Sequence, residues 1–232
     1  DCLEVRERSL ESKWDNQHLF HLDIDITSKW GSETKQYLKK AFKIKTELKI
    51  VSLQIAVCCS EPVYEGRMFV LGGETYSRPE MIINAKSNIS FLREILRDGV
   101  SIAIENNNYY PTSAYEHVTD GDFLSEVIID NDVNLLFDIA HGMVTAHNKG
   151  IEYESYKSSL PLNKLIQLHI CRPYIPLEGY AYDAHEWPDN DMLKEAVEMS
   201  KKYPHIRYFT IEYYKDKDFL IDSLVRLKNM MI

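Results

Sequence analysis

The sequence predicts an α/β chain, a TIM (β/α)8-type barrel built as one metal-binding domain over residues 1–232, and three observations predict it. Short apolar, β-rich runs alternate with longer amphipathic stretches. At 232 residues and 44% hydrophobic, the chain suits one large core, and barrels of this class routinely use such a length as a single domain. Residues able to bind a cation recur at or just past the ends of the apolar runs: Glu105, Asp138 with His141, His169, Asp183 with His185, and Glu212. Parallel barrel strands converge at their C-termini on one face, where active sites are built. Carboxylates and imidazoles gathered there need a cation to hold them, so the pattern reads as a metalloenzyme.

In chain order, strands are expected near 2–6 (CLEVR), 19–26 (LFHLDIDI), 50–57 (IVSLQIAV) and 100–105 (VSIAIE). Three more follow near 134–139 (NLLFDI), 165–170 (LIQLHI) and 207–213 (RYFTIEY). Several are near-continuous apolar runs, as expected for strands covered on both faces. Helices are expected near 33–48, 79–97, 120–130, 190–203 and 216–230. Pro79 before Glu80 suits a first helical turn, Asp98-Gly99 marks a stop, and Asp120 and Asp216 suit N-caps. Segments 58–78, which carries Gly66, Gly72 and Gly73, and 171–189 read as long loops on the active-site face. A closed barrel of this type has about eight strands, and seven such runs are present. The chain starts at Asp1 and enters a strand almost at once, so a first strand is expected to be missing from it.

Composition narrows the function classes. No run approaches the ~18 apolar residues of a membrane span, and DCLEVRERSL is too charged for a signal peptide. A net charge of −9 argues against nucleic acid as the main partner, since that binding rests on Lys and Arg neutralising phosphates. Cys2, Cys58, Cys59 and Cys171 show neither CxxC nor disulfide-framework spacing, which fits a reducing cytoplasm. The adjacent Cys58 and Cys59 read as strand-end packing rather than a redox pair.

Each candidate ligand has a plainer alternative. Glu105 runs into Asn106, Asn107 and Asn108, which supply neutral oxygens for a hard cation or simply form a turn. Asp138 and His141 form a compact D-x-x-H pair at a strand end, where Asp is also a common N-cap. His169, within an otherwise apolar run, has the alternative of a satisfied core histidine, and Asp183 and His185 that of solvated loop residues. Glu212 is harder to dismiss, because a carboxylate buried in a strand is costly unless paired or metal-bound. For the site to be inert, all of the plainer readings must hold together.

Read as an ordered set, IENNNYY, LLFDIAHGMVTAHNKG, SLPLNKLIQLHI, YDAHEWP and FTIEYY resemble the multinuclear non-haem iron-dependent oxidases, methanobactin-type peptide-modifying enzymes on a xylose-isomerase-like barrel. The FHLDIDI strand resembles the family's second histidine-bearing strand and places His21 at a ligand position. The resemblance implies iron, two or three ions, with manganese or zinc binding the same ligand types. It implies one position from His21, Glu105 and Glu212, and a second from Glu105, Asp138, His169 and Glu212. A third would use Asn106, His141, Asp183 and His185. It further implies catalytic roles for Glu105, Asp138, His169 and Glu212, use of dioxygen, and a ribosomal precursor peptide as substrate, often modified at Cys. A separate peptide-recognition protein is a further implied partner.

This chain departs from the family at Gln54, where the usual residue is histidine, which weakens the first position. CRPYIP after His169 also departs from the usual small-residue pattern. Tyr109, Tyr110, Arg172 and Tyr182 are candidates for lining the substrate cavity. Rival readings on the same barrel are a divalent-metal sugar isomerase or epimerase and a metal-dependent endonuclease, the latter disfavoured by the charge. Isomerases and epimerases of this kind usually need a lysine or histidine near the substrate hydroxyls, and no lysine sits at a strand end. A non-enzyme alternative is a degenerate binding subunit, motivated by Gln54.

Overall fold

Seven parallel strands form a nearly closed barrel in the computed structural model, which describes residues 2–232. Asp1, the residue before which a missing strand was expected, lies outside the described residues. The barrel strands are β1 (Leu3–Val5), β2 (Gln17–Asp25), β3 (Ile50–Gln54), β6 (Ser101–Glu105), β7 (Asn134–Asp138), β8 (Leu165–Ile170) and β11 (Tyr208–Ile211). They pair in the order β1-β2-β3-β6-β7-β8-β11, every neighbour parallel. Each of the seven expected runs corresponds to one of these strands. Across the seam between β1 and β11 the bonds come from side chains: Thr210 Oγ1 donates to Glu4 Oε2 at 3.2 Å, and Arg6 pairs with Glu212.

Helices cover the outside. The expected ones are α1 (Ser32–Ile44), α2 (Arg78–Ile95), α3 (Gly121–Asp130), α6 (Asn190–Lys202) and α7 (Lys217–Met231). Their apolar stripes face inward, as with Met192, Leu193, Ala196 and Val197 of α6 at helical spacing. Asp216 caps α7 by accepting from the amides of Asp218 and Phe219.

Two helices lie outside the sequence expectation, α4 (Ile139–Lys149) and α5 (Tyr153–Ser159). Glycine hides the first of them, since Gly142 weakens helix propensity. It serves close packing instead: a Cβ there would sit 3.0 Å from the ring of Phe137. Gly150, at φ +66°, ends α4 in the left-handed conformation that favours glycine. The expected loops are likewise corrected in part. Segment 58–78 folds a hairpin of β4 (Val63–Glu65) and β5 (Met68–Val70), and 171–189 an antiparallel ribbon of β9 (Arg172–Tyr174) and β10 (Tyr182–Glu186).

Inside the barrel, Leu19, Ile50, Ala103, Leu136 and Ile166 form one buried apolar cluster toward the N-terminal strand ends. Side chains two residues along a strand share its face. The next inward positions are therefore His21, Ser52, Glu105 and Asp138, and there the lining changes from apolar to polar.

Candidate metal centre

Strand register brings the site together. Asp138 lies opposite His169, and Glu105 opposite Gln54. Glu212 extends the last ladder by one residue, its amide donating to Ile170 O at 3.1 Å. His21, Glu105, Asp138, His169 and Glu212 are all buried to within 2%. Four groupings of ligand atoms each lie within 4.8 Å: His21, Glu105 and His169; Glu105, Asp138 and His141; Glu4, His169 and Glu212; and Cys171, His185 and Glu212.

The hydrogen bonds decide which atoms face inward. His169 Nε2 lies 2.9 Å from Glu4 Oε2, an acceptor only, so this nitrogen carries the proton. Nδ1, on the other edge of the ring, faces Glu105 Oε1 at 2.9 Å, Glu212 Oε1 at 3.3 Å and Asp138 Oδ2 at 3.9 Å, and is the nitrogen that loss of a proton would free for a metal. His141 Nδ1 similarly donates to Asn106 O at 2.8 Å, which leaves Nε2 facing Asp183 Oδ2 at 3.4 Å and Asp138 Oδ2 at 3.9 Å. A carboxylate or carbonyl behind each imidazole is the usual device for aiming a metal-binding histidine. Asp138 Oδ1 caps α4 by accepting from His141 N at 2.8 Å. Its Oδ2, and His169 Nδ1, are buried without a hydrogen-bond partner. Buried polar atoms are rarely left so, and both point into the same carboxylate-rich space. A divalent cation fits this donor set.

Electrostatics agree with a centre short of positive charge. Burial pushes the Asp138 carboxyl up to about 6, with Asp183 and Glu105 adding to the effect. Burial alone would lower His169, but Glu4 and Glu105 outweigh it and hold the imidazole at about 9. Burial also works against the Glu4 charge, yet His169 brings that carboxyl down to about 2.

The remaining expected residues take varied places. Asp183 Oδ2 lies 3.1 Å from His185 Nε2, which is 3.4 Å from Glu212 Oε2. His185 is held at φ +44°, a conformation rare for a non-glycine residue and one that clusters at functional sites. Asn106, expected as a ligand, is bonded to the backbone beside the site. Its amide donates to Asp138 O and accepts from Asp138 N, so it clamps the backbone of a ligand. Tyr110 and Tyr182 line a cleft of about 310 Å³ over the centre, with Gln54 and the aromatic rings of Tyr64, Phe69 and Tyr115. Tyr109 instead packs edge-on against Tyr115 under the Lys149 ammonium, and Arg172 lines a separate pocket beyond the ribbon.

Three site residues escaped the sequence reading. Glu4 backs His169, Arg6 pairs with Glu212, and Cys171 Sγ donates to Asp183 Oδ1 at 3.3 Å. The only signal for Glu4 was its place in a predicted strand, since its partner lies 165 residues away.

A sequence profile of the family described as RiPP precursor modification enzyme MbnB/TglH/ChrH matches residues 35–211, more than half of the chain. A UPF0276 protein of Acaryochloris marina is 30% identical over 100 residues, 43% of this chain and 35% of that protein. One of Vibrio parahaemolyticus is 29% identical over 122 residues, 52% and 40% of the two chains. The matched stretch is thus less than half the length of either relative. Among solved structures, a D-psicose 3-epimerase crystallised with D-fructose superposes with a TM-score of 0.59 at 11% identity, covering 100% of this chain and 85% of its own. The 3-keto-D-glucoside 4-epimerase YcjR of E. coli gives 0.52 at 13%, covering 92% and 80%. At these identities the likeness is one of fold, the xylose-isomerase-like barrel.

Proposed function

The chain belongs to the MbnB/TglH/ChrH family of RiPP precursor modification enzymes, and from that premise we propose that it is a multinuclear non-haem iron-dependent oxidase. Its substrate is a ribosomally made precursor peptide, of which it modifies one residue with dioxygen. The observation that carries the metal reading is Asp138 Oδ2, buried without a hydrogen-bond partner and 3.9 Å from both His169 Nδ1 and His141 Nε2. Iron bound there supplies redox chemistry with dioxygen.

The protein's own residues have separable tasks. Glu105, Asp138, His169 and Glu212 hold the central ion, with His21 beside Glu105. His141, Asp183 and His185 hold its neighbour. Glu4 keeps the His169 proton on Nε2, and Asn106 fixes the backbone of Asp138. The aromatic wall of Tyr64, Phe69, Tyr110, Tyr115 and Tyr182 excludes water and receives an apolar peptide segment. A separate recognition protein presents the peptide between the two ribbons that flank the mouth. We take residues 1–232 as one barrel domain working in a reducing cytoplasm, in keeping with four free cysteines. Among the described residues, no helix is long and apolar enough to cross a membrane.

The epimerase reading draws support from the sugar epimerases that share the fold. Among the described residues no lysine lines the cleft, but His21, His141 and His185 do, so the epimerase stands as the second reading. The test is elemental analysis of protein purified without oxygen and without a metal affinity column, followed by incubation with a precursor peptide encoded nearby. Two or three irons per chain and a peptide mass change that requires air are expected. Zinc or manganese with sugar turnover would replace this reading by the epimerase, and a metal-free protein with no activity by the binding subunit.

A further inference from the structure

Arg6 carries a permanent positive charge into the ring of carboxylates. Its guanidinium pairs with Glu212 and lies 3.4 Å from both Glu4 Oε1 and Asp23 Oδ1, with the side chain 18% exposed. A guanidinium does not lose its proton in a protein, and its planar fork matches carboxylate oxygens better than an ammonium does. It therefore meets two members of the grouping Glu4, His169 and Glu212. The third member is also committed there, because His169 spends Nε2 on Glu4 and turns Nδ1 toward Glu105 and Asp138. A divalent ion on the β1 side would sit within a few ångströms of the guanidinium, unscreened by solvent. The opposite side differs: His141 Nε2, Asp183 Oδ2 and Asp138 Oδ2 have no contact with Arg6. Gln54 lines the same cleft as Arg6, opposite Glu105 in register, and adds a neutral amide to it.

We propose that Arg6 takes the place of one metal ion, so that this chain binds two ions and not three. One ion is held by Glu105, Asp138, His169 and Glu212, the other by His141, Asp183 and His185. Glu4 and Asp23, with the Glu212 oxygen that also pairs with Arg6, complete a cation site whose cation is the guanidinium. The inference rests on the metalloenzyme reading above and settles the number of ions in it.

The test counts ions and needs no substrate. Wild type, Arg6→Lys and Arg6→Met are loaded anaerobically with excess ferrous iron, desalted, and analysed for iron per folded chain, with circular dichroism as the check on folding. Wild type and Arg6→Lys are expected to hold two ions, and Arg6→Met to gain one. Three ions in wild type overturn the proposal whether or not a variant folds. Two ions in folded Arg6→Met overturn it as well, while leaving the metalloenzyme reading intact. No iron in wild type overturns both.

Discussion

In β2, β3, β6 and β7 the inward residues are Leu19, Ile50, Ala103 and Leu136 toward the N-terminal end. Two residues on they are His21, Ser52, Glu105 and Asp138. Both layers are buried to the same degree, at 3% exposure or less. Their contributions to stability have opposite signs. The apolar layer stabilises through area removed from water, whereas the polar layer carries charges whose desolvation must be offset by partners or a cation. One end of the barrel supplies the stability that lets the other hold an unfavourable charge arrangement.

The strongest test of that contrast is to remove a ligand from the charged layer. Asp138→Ala and His169→Ala are each expected to lose the central ion and all peptide modification. Full metal content in both variants would break the comparison at its functional end. The matching change in the apolar layer is Leu136→Ala. It is expected to cost about 2–5 kcal/mol, as large-to-small core substitutions do, while the folded protein keeps its full metal content. Denaturant titration and elemental analysis read the two halves of that expectation.

A pH series sharpens the contrast. In metal-free protein His169 is held at about 9 against an ordinary 6.5. Its stabilising contribution is complete below 6.5 and is lost as pH rises through 9. The melting temperature of the metal-free protein should fall across that window, and Leu136→Ala should retain the fall. Metal-loaded protein should not show it, because the imidazole is then neutral and bound. The smallest effect is expected outside the barrel. Asp216→Ala removes the α7 cap, which should cost about 1 kcal/mol and leave the metal count unchanged.

Much of this organisation was legible in the residues. All seven barrel strands could be read, several of them because a strand buried on both faces is a near-continuous apolar run, as LIQLHI is apart from Gln167 and His169. α4 and α5 could not, because Asp138 is at once the last residue of β7 and the N-cap of α4, with no loop between. Gly142 further weakened the helical signal. The hairpin and the ribbon within the long loops are only three to five residues per strand, too short for a period to register.

The sequence by itself determined the order of the ligand-type residues and their places at strand ends, because side-chain alternation in a strand is local physics. The resemblance to the family adds that Gln54 stands where an imidazole would be expected. Only the tertiary structure decided what surrounds those ligands. Glu4 reaches His169, and Arg6 reaches Glu212, across the seam of the barrel over separations of 165 and 206 residues. Asn106 clamps the backbone of Asp138 because β6 and β7 lie side by side. Which nitrogen of each histidine faces the cation is likewise fixed by partners that only the closed barrel brings within hydrogen-bond reach.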